Sequence, residues 1–178
     1  MKFKFRDLDD STREYMGNEI EMAMLEGNIF FSKRFTETGK RLWPTLLLQA
    51  ATNHDEHWLT FELERNSCIK GIEATGTPFG EYTKDFVPHT TTETIAEREF
   101  NRYYMLGLCL RAFNDEIEEL IVYRAKQGSS PGSSSRRLIG QKLDPDEVFD
   151  LLRPVCSSLQ SELTKPNSGI SLFIPTKD

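Results

Sequence analysis

Apolar residues keep one helical period longest across residues 91–113, TTETIAEREFNRYYMLGLCLRAF. At about 100° per residue, Ala96, Phe100, Tyr103, Gly107 and Leu110 fall on a single stripe. Tyr104 and Leu108 flank it on one side, and Ile95, Leu106 and Phe113 on the other. The opposite face opens with Glu97, Arg98, Asn101 and Arg102, then continues as Met105, Cys109 and Ala112. The pattern predicts a helix that is amphipathic at its start and buried on all sides in its second half. Phe100, Tyr103, Gly107 and Leu110 are its predicted core. Thr94 and Glu97 form a T-x-x-E capping box, which places the first turn at about Ile95. A glycine on the core stripe costs about 1 kcal/mol relative to alanine, so Gly107 predicts a second backbone close by. Glu99 and Arg111 stand at the edges of the stripe and read as long side chains reaching solvent along their stems.

Other segments arrange themselves around this helix. Ser11 and Glu14 make an S-x-x-E box ahead of Tyr15, Met16, Ile20, Ala23 and Met24, and Gly27 stops that helix. Residues 29–32 read as a short strand and residues 36–40 as a polar turn. Pro44 suits the first turn of a helix carrying Leu46, Leu47, Ala50 and Ala51. A further helix over residues 55–65 completes a helical hairpin. Residues 68–72 and 82–87 have the composition of paired strands or an extended arm. Residues 120–125, LIVYRA, make the best strand by composition. The run QGSSPGSSS at 127–135 predicts a flexible loop over residues 127–137. A strand is expected at 138–143, and Asp144-Pro145 caps a helix that runs to about Arg153. Residues 169–175, GISLFIP, read as an edge strand within an extended tail, 164–178. The reading is a single α+β domain over residues 1–178, mainly helical, built around one buried helix with a small sheet and extended arms.

Composition narrows the function. In 178 residues, 38% are hydrophobic and 28% charged, the balance of a globular, soluble domain. No apolar run approaches the ~18 residues of a membrane span. The N-terminus, MKFKFRDLDD, lacks the apolar core of a signal peptide. Three scattered cysteines without C-x-x-C point to a reducing compartment and away from zinc. The net charge of −6 argues against wholesale coating of nucleic acid.

No catalytic set, cofactor motif or metal site is legible. His54-Asp55-Glu56-His57 lacks the H-E-x-x-H spacing and reads as a solvated helix start. His89 stands alone in a turn. No phosphate loop or nucleophile elbow occurs, and Cys109 sits on a face that reads as inert packing. One feature rises above this background. Residues 120–143 contain no acid, although the chain has 28, and they carry Arg124, Lys126, Arg136, Arg137 and Lys142. Arg124 and Lys126, two apart on a strand, are expected on one face. Together the five predict a basic arm for an acidic partner surface, with phosphate as the other counterpart.

Residues 96–112, AEREFNRYYMLGLCLRA, also resemble a poorly characterised family of bacterial and phage-encoded proteins. The likeness continues through VYRAK at 122–126, Ile139-Gly140, Leu151-Leu152-Arg153 and PNSGIS at 166–171, and so covers most of the chain. It implies a place among phage virion components, near the head–tail connection. It carries over no catalytic residues. Similar chains have a proline- and charge-containing loop after the YRAK segment, where this one has Gly/Ser. The expectation is therefore a non-enzymatic structural or assembly subunit of a phage particle. It would be made in the host cytoplasm and contact copies of itself, neighbouring virion proteins and nearby nucleic acid. The alternatives are an enzyme or nucleic-acid-processing protein, or a small regulatory binding module.

Overall fold

The computed structural model describes residues 2–76, 82–126 and 133–175. Its architecture is α+β and mainly helical. Helices α1 (Asp10–Leu25), α2 (Glu37–Asn53) and α3 (Glu56–Arg65) precede a two-stranded hairpin, β1 (Ile72–Gly76) with β2 (Tyr82–Phe86). The long helix α4 (Thr91–Asn114) follows. The rest comprises β3 (Leu120–Arg124), α5 (Ser133–Leu138), β4 (Lys142–Leu143), α6 (Pro145–Leu152), α7 (Val155–Gln160) and β5 (Ile170–Phe173). β3 is the middle strand of an antiparallel sheet ordered β4-β3-β5.

α4 is the centre of the fold, packed against α1, α2, α3, α6 and β5. It starts at Thr91, earlier than the capping box predicts. Thr90 occupies the cap position without a side-chain cap bond, and the Thr94 hydroxyl donates back to the Thr90 carbonyl (2.8 Å). Glu97 is taken by a different partner, Lys126, which leaves the box unformed. The glycine expectation is met, because a Cβ on Gly107 would lie 3.0 Å from the Thr12 carbonyl and 2.8 Å from Met16 Cγ of α1. Phe100 and Tyr103 are fully buried, whereas Leu110 is half-buried and Phe113 exposed.

The caps explain most boundary shifts. Asp9, not Ser11, caps α1 by accepting from the Thr12 amide (3.0 Å). Thr36 accepts from the Gly39 amide (3.0 Å), so the expected polar turn at 36–40 is the first turn of α2. Pro44 consequently lies inside the helix, where it withholds one amide. Residues 29–32 form no strand; the Phe30 carbonyl instead accepts the Trp43 indole N–H (2.7 Å). Residues 133–138 are helical where a flexible loop was expected, and Ser135 in that helix is buried. The loop's residues 127–132, and the tail's 176–178, lie outside the described residues. The strand expected at 138–143 shrinks to Lys142 and Leu143.

β3 alternates as a strand between two cores should. Leu120 and Val122 join the main cluster, and Tyr123 faces a smaller one with Phe3 and Ala125. β5 is an edge strand, but its open side is plugged. Asn101 Nδ2 donates to the Ile170 carbonyl (3.0 Å), and the Ile174 amide donates to Asp7 (3.0 Å). That side is poorly suited to accept a further strand. No helix among the described residues is long and apolar enough to cross a membrane.

Candidate interaction surfaces

The five basic side chains do not form one arm. The amides of Ala125 and Lys126 both donate to the Gly169 carbonyl (2.8 and 2.9 Å). Two residues facing one is the pattern of a β-bulge, which breaks the alternation expected of Arg124 and Lys126. Lys126 turns inward onto Glu97 and Glu93 of α4, its side chain only 12% exposed. Burial pushes the Glu97 carboxyl up, and neighbouring Glu93 adds to that, so the pair shares one ammonium. Arg124 Nε donates to the Lys126 carbonyl (3.2 Å), and Lys142 pairs with Glu119 (2.6 Å). Arg136 and Arg137 on α5 are exposed and have no ion pair among the described residues. They are what remains of the predicted basic surface.

The polar face of α4 has a different use from the one its pattern suggests. Glu99, expected in solvent, is 1% exposed and takes Arg98 and Arg102 on its two oxygens (2.8 and 3.2 Å). Arg102 is equally buried and donates to the carbonyls of Leu152 and Arg153 at the end of α6. There a cation meets the negative end of a helix. Arg153 in turn forks between Glu19 and Glu26 of α1's side (both 2.9 Å). The network ties three helices together. Beside it, the Tyr103 hydroxyl is buried next to Arg102 with no well-aligned hydrogen bond among the described residues, and burial pushes its pKa up to about 12. Arg111 does reach outward, to Asp9 (2.8 Å) and Asp115.

The His54–His57 segment also departs from a solvated helix start. His54 stacks on Trp58 (centroids 4.1 Å apart), and Asp55 caps α3 while pairing with Lys2. Glu56 is buried, and its Oε1 accepts the Phe3 amide (3.0 Å). Burial drives its carboxyl pKa upward. No group of three or more His, Cys, Asp or Glu among the described residues is placed to hold a metal ion. Cys109 is buried and its thiol pushed far up by desolvation, which suits packing and not nucleophilic attack.

Two exposed surfaces combine apolar and charged residues in a way that suits contact. The β1–β2 hairpin pairs with no other strand among the described residues. It is held at its base by the Gly71 carbonyl and Val87 amide (3.0 Å) and by Arg34 forked on Glu73. Ile72 and Phe86 face each other across it, yet they are 51% and 85% exposed. Lys84 shares their face, two residues from Phe86. The second surface is a groove of about 580 Å³ at the end of α4. Ile117, Ile174 and Pro175 give it an apolar floor, and Asp115, Glu116, Glu118 and Glu119 an acidic rim. In comparisons with known proteins, no family model, curated protein or solved structure matches the chain.

Proposed function

We propose that this chain is a non-enzymatic assembly subunit that joins copies of itself, head to tail, within a larger particle. The observation that carries the reading is the Ile72–Phe86 pair, exposed at the base of a hairpin that no other strand among the described residues supports. A lone two-stranded hairpin is marginal in water. Fully burying each such side chain is worth about 1.5–3 kcal/mol, so a partner both covers the pair and steadies the hairpin. The partner it fits is a second copy. The apolar floor at Ile117, Ile174 and Pro175 suits the pair, and the acidic rim suits Lys84. Donor and acceptor surfaces differ, so the contact is heterologous and repeats into a ring or a filament. A phage particle near its head–tail connection is the setting, supported by the resemblance of residues 96–112 and 122–126.

Light scattering after size exclusion tests this. The natural chain is expected to associate in a concentration-dependent way. Ile72→Ser with Phe86→Ser is expected to leave a folded monomer. Lys84→Glu and Glu118→Lys are each expected to weaken association, and mixing the two variants to restore it. A natural chain that stays monomeric at high concentration, or single variants that assemble normally, would sink the reading.

A further inference from the structure

Arg136 and Arg137 take no part in the hairpin contact, and no carboxylate among the described residues pairs with them. The short helix that carries them, α5, is nonetheless fixed to the body of the protein. Ser135 on its inner side is buried. The Ser134 hydroxyl bonds Glu162 and, with Lys165, holds that carboxyl below its ordinary range. The Arg137 carbonyl accepts the Gln141 side-chain amide (3.0 Å), which closes the end of the helix. Two guanidiniums are therefore presented outward on an anchored element, with Ile139 exposed just beyond them.

A surface of opposite charge lies elsewhere on the chain. A groove of about 860 Å³ runs between the last turn of α4 and the start of α6. Glu116, Glu118, Asp144 and Asp146 line it, all four exposed and none in an ion pair among the described residues. The neighbouring cations are already held, Arg111 by Asp9 and Asp115, and Lys142 by Glu119. Asp144 is fixed in place by capping α6 through the Asp146 amide (2.7 Å). Phe113 and Ile117 give the groove an apolar wall, and Phe113 is 40% exposed. The chain thus carries free guanidiniums beside an exposed isoleucine on one element, and free carboxylates beside an exposed phenylalanine on others.

We infer that α5 of one copy docks in this groove on a second copy, with Arg136 and Arg137 on its carboxylates and Ile139 against Phe113. The contact rests on the self-assembly proposed above for its partner, though not for its surfaces. A guanidinium fork fits a carboxylate with two parallel hydrogen bonds, which gives such a contact direction as well as attraction. The two surfaces are different parts of one chain, so the contact is heterologous, as the hairpin contact is, and repeats with it instead of closing a two-fold dimer. A second copy suits α5 better than nucleic acid does, because its groove offers an apolar wall for Ile139 as well as complementary charge.

Sedimentation velocity on the full chain tests this contact separately from the hairpin, because Asp146 lines this groove and not the one at Ile174. Arg136→Glu with Arg137→Glu is expected to weaken association about tenfold or more at low salt, since like charges then meet in the groove. The difference is expected to shrink as salt rises. Asp146→Arg is expected to weaken association as well, and a mixture of the two variants to associate more tightly than either alone, with circular dichroism unchanged in each. The hairpin variant, Ile72→Ser with Phe86→Ser, is measured alongside. Association kept by the hairpin variant but lost by the arginine variant overturns the hairpin contact and supports this one. Reversed arginines that associate like the natural chain, or a mixture that gains nothing, overturn this inference even where the hairpin variant is monomeric. A natural chain that is monomeric throughout overturns both.

Discussion

Glu56 shows how much one buried carboxyl can decide. It closes the N-terminal segment onto α3 through the Phe3 amide, while its second oxygen is buried with no hydrogen bond among the described residues. Desolvation raises its pKa above the ordinary 4.5, with Asp55 adding to the effect and Lys2 opposing it. The folded chain therefore holds this proton more tightly than the unfolded one. The associated stabilisation is complete below about pH 4.5 and is lost as pH climbs through the folded-state value. Glu56→Gln keeps an acceptor for Phe3 and removes the buried charge. Thermal unfolding is expected to show a higher Tm for this variant near neutral pH, with the gap closing in acid. A variant less stable than the natural chain at neutral pH would show that Lys2 compensates the carboxylate fully.

At the scale of elements, α4 is joined to its neighbours by two different devices. One is close approach: Gly107 lets α1 lie against it at backbone distance. The other is the Arg102 guanidinium, which holds the end of α6 through two carbonyls while it neutralises Glu99. Removing one partner from a buried ionic cluster costs about 3–5 kcal/mol; here Arg98 stays on Glu99, but one carboxylate oxygen and the Leu152 and Arg153 carbonyls lose their donor. Arg102→Ala is expected to lose that much in denaturant unfolding. Arg102→Lys is expected to recover little, since an ammonium cannot span the same three acceptors in a plane. Full recovery by lysine would mean that charge alone matters at this site.

For the whole molecule, the acid-free span 120–143 resolves into separate fates. Lys126 and Lys142 are satisfied within the chain, while Arg136 and Arg137 face outward from α5. Their joint replacement by alanine is expected to leave stability within about 0.5 kcal/mol, as for other exposed sites. Association of the chain is expected to weaken, most at low salt and least at high salt, where screening already acts. Sedimentation at two ionic strengths checks this. Unaltered association at low salt would leave α5 a solvated helix with no part in assembly.

Periodicity and caps by themselves determined the long central helix, the Leu120 strand, the second hairpin strand, the Asp55 and Asp144 helix starts and the stop at Gly27; the first hairpin strand, expected at 68–72, is instead Ile72–Gly76. Each depends on residues within a turn or two, so local sequence is enough. Gly107 was legible for a related reason, since a glycine on an apolar stripe has few other uses. What tertiary structure alone decided concerns the charged residues. Glu99, Arg102, Glu56 and Lys126 look like solvated positions in the sequence, because the carbonyls and carboxylates that receive them come from distant segments. Arg102 meets Leu152 and Arg153, Glu56 meets Phe3, and Lys126 meets Glu93 and Glu97. A charge is buried only where such partners converge, and convergence is a property of the folded chain. The bulge at Ala125–Lys126 is of the same kind. It arises from the Gly169 carbonyl meeting two amides, and it turns Lys126 from the expected open face into the interior.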